Sequence, residues 1–167
     1  MSGMEFACRV VRKDDAAAIA AIYAHHVLHG TGTFDLVPVS QEDWRVRITD
    51  IVANGWPFLV AVGGGRVIGY AYAAQFRDRE AYRTTCEDSI YIAEEARGAG
   101  VGARLLAALI AAAPAAGFRE MVAVIGGPEP ASVALHTKLG FAEAGRLNNV
   151  GVKFGRSLDV LFMQRSV

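Results

Sequence analysis

Cysteine is scarce in this chain. Only Cys8 and Cys86 occur among 167 residues, far apart and without metal-ligand spacing, so neither a disulfide scaffold nor a thiolate zinc site can be built. Both read as buried, reduced thiols. No charge of one sign prevails: Lys+Arg and Asp+Glu each number 17 and the pI is near 6.9, so nothing in the balance draws the chain to nucleic acid or to an anionic membrane. Long hydrophobic runs are missing too. Even the Ala/Leu-rich stretch from Leu105 to Ala116 is interrupted by Pro114, well short of the roughly 20 residues a bilayer requires. The N-terminus carries Glu5 and Arg9 among apolar residues and has no signal-peptide pattern. A cytoplasmic protein is the expectation. No repeat and no Pro/Ser/Gly linker divides the chain, and 53% hydrophobic residues over this length suffice for one core, so residues 1–167 are expected to form a single domain.

What is present centres on Ser89 to Gly102. The β-branched and aromatic run Ile90-Tyr91-Ile92 is followed by the charged turn Ala93 to Arg97, then by Gly98, Gly100 and Gly102, which open the helix-forming run Ala103 to Ala113. Strand, glycine loop and helix in this order make an anion site. The first helical N–H groups lack partners within the helix, the helix dipole makes that end positive, and bare glycines let a diphosphate approach. Arg97 adds a full charge and a fork of donors. Gly98-x-Gly100-x-x-Ala103 also satisfies the dinucleotide fingerprint. That fingerprint sets its first glycine tight against the strand, whereas five residues intervene here, and the 65 residues after Gly102 are too few for the large sheet it begins.

Along the rest of the chain, Phe6 to Val11 reads as a strand. Asp14 is placed to cap a helix reaching Leu28, which Gly30 ends. Ser40 with Asp43 forms a capping box for a second helix carrying the stripe Trp44, Ile48, Ile51 and Val52. Phe58 to Val62 and Val67 to Gln75 make a hairpin, Thr85 to Ile92 is the strand before the glycine loop, and Glu120 to Ile125 follows the helix by a parallel crossover. A short helix beginning near Ser132 reaches Leu139. Two last strands, Ala142 to Leu147 and Leu158 to Gln164, flank Val150 to Ser157.

The spacing Arg97-x-x-Gly100-x-Gly102 resembles the acetyl-CoA loop of the GNAT acetyltransferases. Thr33-Phe34-Asp35, Phe76-Arg77, Ala81-Tyr82-Arg83, Glu87, Val122 to Ile125, His136, Leu139-Gly140-Phe141 and Lys153-Phe154-Gly155 stand in the order of the phosphinothricin and methionine sulfoximine (sulfone) N-acetyltransferases. The resemblance implies an α/β (α+β) GNAT fold, a mixed sheet of about seven strands splayed at the acetyl-CoA site with about four helices, and a homodimer with the segment after Val150 near the partner. It implies acetyl transfer from acetyl-CoA to the primary amine of a small amino acid.

In that reading Glu87 is the general base and His136, at a position where many GNAT enzymes have tyrosine, protonates the leaving thiolate. The backbone of Ile90, Tyr91 and Ile92 takes the pantetheine arm, and Arg97, Gly98, Ala99, Gly100, Val101 and Gly102 take the phosphates. Arg77 and Arg83 bind the acceptor's carboxylate between Phe34 and Tyr82. Strand alternation puts Asp88 on the face opposite Glu87, so only one of the two is expected at the cleft. Glu129, where the family commonly has Asn, is not assigned to the coenzyme. His25 and His29 are four apart but no third ligand accompanies them, so no metal is expected. A peptide or protein N-terminal acetyltransferase and a non-catalytic CoA-binding domain are the competing readings.

Overall fold

The computed structural model describes residues 4–167. β1 (Phe6–Val10), β2 (Phe58–Gly63), β3 (Arg66–Gln75), β4 (Thr85–Ile92), β5 (Glu120–Gly126), β6 (Ala142–Lys153) and β7 (Arg156–Ser166) form one sheet in the order β1-β2-β3-β4-β5-β7-β6. Every neighbouring pair is antiparallel except β4 with β5. The crossover between those two carries α3 (Val101–Ala112). The remaining helices are α1 (Ala16–His29), α2 (Gln41–Ala53) and α4 (Pro130–Lys138).

Adjacent residues of β3 show how the layers form. Tyr70 is fully buried and packs edge-on to Trp44 of α2 at 5.4 Å. Its neighbour Gly69 faces the other way, where an added Cβ would come within 2.8 Å of Ile92 Cδ1 and 3.2 Å of Leu105 Cδ1. Glycine there lets α3 settle on the sheet, so α1 and α2 cover one face and α3 the other. The core joins both, from Ile19, Trp44 and Phe58 to Leu105, Leu109 and Met121.

Four local expectations are corrected. The carboxylate that closes the turn before α1 is Asp15 rather than Asp14: it accepts the Arg12 N–H at 2.7 Å and pairs with the Arg9 guanidinium at 2.8 Å, which draws the first helical residue to Ala16. Val52 is 48% exposed, because α2 rests on the sheet through Trp44, Ile48 and Ile51 alone. Cys8 is only half-buried, although Cys86 is buried and both are free. The last two strands run further than read, and the segment between them is their own hairpin, whose turn places Phe154 and Gly155 at φ +52° and +68°. The Ser40 cap forms as expected, accepting the Asp43 N–H at 3.0 Å.

Candidate active site

The parallel seam between β4 and β5 is short. It pairs Thr85 to Asp88 with Glu120 to Ala123 and stops, while β4 stays on β3 as far as Ile92 and β5 stays on β7 as far as Gly126. The two strands diverge beyond Asp88, and a cleft of about 1110 Å3 opens between them. Ser89 to Ile92 turn one backbone edge toward it. Ala131 to Leu135 of α4 form the facing wall, Gly30 to Gly32 and Phe154 lie at the rim, and Arg97 closes one end with Gly98 and the start of α3.

That end has the shape and polarity to take an anion. A single helical turn at Glu94–Ala96 delivers the chain to Gly98 and Gly100, at φ +75° and +82°. Gly100 is the N-cap residue of the 12-residue α3 and offers no side chain to its first N–H groups, which are thus available to a diphosphate. A Cβ on Gly98 or Gly100 would meet nothing within 4 Å, whereas one on Gly102 would meet Leu135 at 3.3 Å. Gly98 and Gly100 therefore keep the approach clear, and Gly102 lets α4 close in. Ala99 sits exposed at the loop tip, off the cleft wall. An extended amide-bearing arm ending in a diphosphate fits these features: a free strand edge leads into a helix N-terminus with an arginine beside it.

The strand edge is already used in part. His26 of α1 lies 2.8 Å from the Ile92 carbonyl through Nε2, which must donate. Burial holds this ring below the usual histidine range despite that bond, so the neutral ring carries its proton on Nε2. His26 was not legible in the sequence, since its partner is 66 residues away. His25 pairs with Glu94 at 3.0 Å and His29 stacks on His25.

At the opposite end of the cleft, both Glu87 and Asp88 line it. This corrects the expectation from strand alternation. Alternation separates two faces of a closed sheet, but a gap that opens within the sheet admits side chains from both. Glu87 is 34% exposed and lies 3.6 Å from the Arg77 guanidinium. Burial raises its pKa, Arg77 opposes the rise and Asp88 adds to it.

Asp88 turns toward α4. Its Oδ2 is 2.9 Å from His136 Nε2, and the two side chains are 1% and 2% exposed. His136 Nδ1 lies 2.7 Å from the Ser132 carbonyl, and the ring stands edge-on to Phe141 at 4.9 Å. Burial alone would favour the neutral ring, but Asp88 and the Ser132 carbonyl together outweigh it and raise the His136 pKa. Glu129 caps α4, its carboxylate accepting the Ser132 N–H at 3.0 Å.

The expected acceptor residues are only partly gathered. Arg77 stacks on Phe76 at 4.1 Å and reaches Glu87. Tyr82 packs edge-on to Phe76, and Arg83 pairs with Glu80 at 3.8 Å on the surface. The Phe34 ring lies over Gly126 and Gly151, so close that a Cβ on either would collide with it. Its loop is pinned by Lys153, whose buried Nζ donates to the Thr33 carbonyl at 2.9 Å, and by Tyr23, which donates to Asp35 at 2.6 Å. None of Phe34, Arg77, Tyr82 and Arg83 lines the main cleft. Among the described residues, no group of three or more His, Cys, Asp or Glu side chains is arranged to hold a metal ion.

A splayed sheet, a glycine loop capping a helix and a carboxylate at the far end of the cleft define an acyltransferase of the coenzyme A-using kind. The chain belongs to the GNAT acetyltransferase family: the model for the acetyltransferase (GNAT) domain matches residues 8–162. Among its relatives, phosphinothricin N-acetyltransferase of Alcaligenes faecalis is 49% identical over 158 residues, covering 94% of this chain and 80% of that protein. The L-methionine sulfoximine/L-methionine sulfone acetyltransferase of Pseudomonas aeruginosa is 40% identical over 151 residues, covering 90% and 88%. The crystal structure of a GNAT superfamily phosphinothricin acetyltransferase from Sinorhizobium meliloti in complex with acetyl-CoA superposes with a TM-score of 0.95 at 46% identity, covering 98% of this chain and 89% of that one. The seven-stranded α/β GNAT fold with four helices agrees with the expectation. The protein is an acetyl-CoA-dependent N-acetyltransferase.

Proposed function

We propose that this single-domain enzyme acetylates the primary amine of small amino acids of the phosphinothricin and methionine sulfoximine or sulfone type. The observation that carries the reading is the pairing of Glu87 with Arg77 beside the point where β4 and β5 part. A base and a carboxylate-binding fork so close together suit a substrate that carries its amine and its carboxylate on one carbon. The relatives named for phosphinothricin and methionine sulfoximine support the same class.

Acetyl-CoA supplies an activated acyl thioester. The backbone edge of Ile90 and Tyr91 holds its arm, and Arg97, Gly98, Gly100 and the α3 N-terminus hold its diphosphate. An α-amine with a pKa of roughly 9–10 is mostly protonated at neutral pH, so Glu87 accepts its proton, directly or through water, as the amine attacks. Arg77 orients the carboxylate, and Tyr82, which packs on the same Phe76 ring, flanks that end. His136 supplies a proton to the departing thiolate.

The edge strand β6 supports a homodimer. It is exposed along most of its length, and Leu147, Val150 and Val152, with Phe154 in the turn after it, are each at least 50% exposed, apolar surface that a second copy would cover. Two free thiols and the absence, among the described residues, of any helix long and apolar enough to cross a membrane are compatible with a cytoplasmic enzyme. Thiol release from acetyl-CoA, measured with phosphinothricin, methionine sulfoximine, methionine sulfone, common amino acids and short peptides, tests the reading. Turnover on the free amino acids is expected, and turnover confined to the peptides would refute it.

A further inference from the structure

We propose that Asp88 is a positioning residue for acyl transfer: with the Ser132 carbonyl, it keeps His136 doubly protonated at the end of the cleft away from the glycine loop, as the proton source for the departing thiolate. This inference rests on the acetyl-transfer reading above and assigns to Asp88 a part in it.

The argument begins with donors and acceptors. A backbone carbonyl can only accept, so the 2.7 Å contact to Ser132 requires a proton on His136 Nδ1. An ionised carboxylate can also only accept, so the 2.9 Å contact to Asp88 requires a second proton on Nε2. Both conditions are met by the imidazolium alone. A neutral ring accepting from a protonated Asp88 would make the same two contacts, but the Asp88 carboxylate and the Ser132 carbonyl converge their negative ends on opposite sides of the ring and favour its charged form. Among the described residues Asp88 Oδ1 has no hydrogen-bond partner, so the carboxylate keeps accepting capacity beyond its bond to His136.

Among the described residues, the other groups nearby are committed elsewhere. On the same face of β4, the Cys86 thiol is pushed up to about 12 by burial and by Asp88, so it holds its own proton through the neutral range. Glu87 lines the same cleft, but it pairs with Arg77 and is committed to the proton of the attacking amine. On α4 itself, Glu129 is engaged at the Ser132 N–H and Lys138 is exposed. From the segment beyond, Phe141 presents only its ring, and Arg165 of β7 donates to the Leu139 carbonyl.

The chemistry balances. The substrate amine gives one proton to Glu87 and its nitrogen bonds the acetyl carbon. The C–S bond breaks with its electron pair on sulfur, and the Nε2 proton of His136 passes to that sulfur. The ring is left neutral, its Nδ1–H still on Ser132. Glu87 then releases its proton to water and His136 takes one back, recharged because Asp88 faces it. A thiolate formed beside an unneutralised carboxylate would be repelled, so Asp88 without His136 would hinder the reaction.

Long-range 1H–15N spectra of the labelled protein read the imidazole directly, with or without turnover. Wild-type His136 should carry protons on both nitrogens at pH 7 and lose one only at higher pH. In Asp88→Asn the same loss should move to or below the ordinary value of about 6.5. The alkaline limb of kcat should shift to lower pH in Asp88→Asn while the KM for acetyl-CoA stays within about twofold. Replacing acetyl-CoA by an acetyl thioester of a more acidic thiol should restore the relative rate both of Asp88→Asn and of His136→Gln. A wild-type ring that is neutral at pH 7 overturns the proposal whatever the variants do. So does an Asp88→Asn enzyme with an unmoved alkaline limb, or a His136→Gln enzyme equally slow with both donors. Failure of acetyl transfer with every amine would strike the functional reading instead, and the spectra would still report the ion pair.

Discussion

Arg77 and Glu87 meet across the strand end at 3.6 Å, with the arginine side chain 53% exposed and the glutamate side chain 34% exposed. The pair is half in water, so its Coulomb energy is screened and stabilises the fold little. Its effect falls on the protonation of Glu87. Burial raises that pKa above the usual carboxylate value and Arg77 restrains the rise.

Glu87→Gln should lower kcat by about 10²- to 10⁴-fold, the usual contribution of a positioned base, with acetyl-CoA affinity preserved. In the wild type, kcat/KM should rise with pH through an inflection above the ordinary glutamate range, since the base works only when deprotonated. Initial rates from pH 5 to 8 and calorimetric titration with acetyl-CoA check both statements. Unchanged turnover in the variant would remove Glu87 from the chemistry.

Arg77→Met removes the charge that restrains Glu87, so the acid limb should move to higher pH. It also removes a charged partner for the acceptor's carboxylate. The side chain is half exposed, which places the loss at the low end for such contacts, about tenfold in kcat/KM for the amino acid. An amine lacking a carboxylate should show no such loss, and comparing the two substrates in the variant is the measurement.

Gly100→Ala separates backbone strain from lost binding. A non-glycine residue at φ +82° is strained by roughly 1–2 kcal/mol, although its Cβ would meet no atom. A fall of a few degrees in Tm is expected. Gly64, at φ +56° in the β2–β3 turn with equally open surroundings, serves as the control: Gly64→Ala should lose a similar amount of Tm and bind acetyl-CoA normally. A rise in Kd of tenfold or more in Gly100→Ala alone would tie the loop to the phosphates, and equal Kd in the two variants would refute that.

The Asp88–His136 pair also gives stability a pH dependence of known sign. The folded pKa of His136 lies above its unfolded value, so its contribution is fully present below about pH 6.5 and is lost as pH rises through the folded pKa. The difference in Tm between wild type and Asp88→Asn should therefore shrink from pH 6 toward pH 9. A difference that stays constant or widens would contradict the ion pair.

Legibility in the sequence tracked the distance over which each structure is decided. The Ser40 cap, the hairpin of β2 and β3 and the strand–loop–helix unit from Ser89 onward are set by residues a few positions apart, and each agrees with the sequence pattern. Contacts between His136 and Asp88, 48 residues apart, and between His26 and Ile92 exist only because the sheet parts at Asp88. No local pattern announces that parting, and the same event defeated the alternation rule at Glu87 and Asp88. The full length of β6 was hidden for another reason. Ala142 to Val150 are exposed on both faces, so no alternation of polar and apolar residues marks the strand.

Among the described residues, a ladder of four residue pairs, with the Thr84 carbonyl just before it, stitches the β1–β4 half of the sheet to the half formed by β5, β7 and β6. A coenzyme lying in the gap would serve as mortar, supplying partners to peptide groups that no neighbouring strand reaches. Melting temperature should then track how much acetyl-CoA surrounds the protein, by about 2.7 kcal/mol at a hundredfold excess over Kd. Amides of Ser89 to Ile92 should gain most in protection from hydrogen exchange, so that a cell poor in this metabolite would hold a softer enzyme.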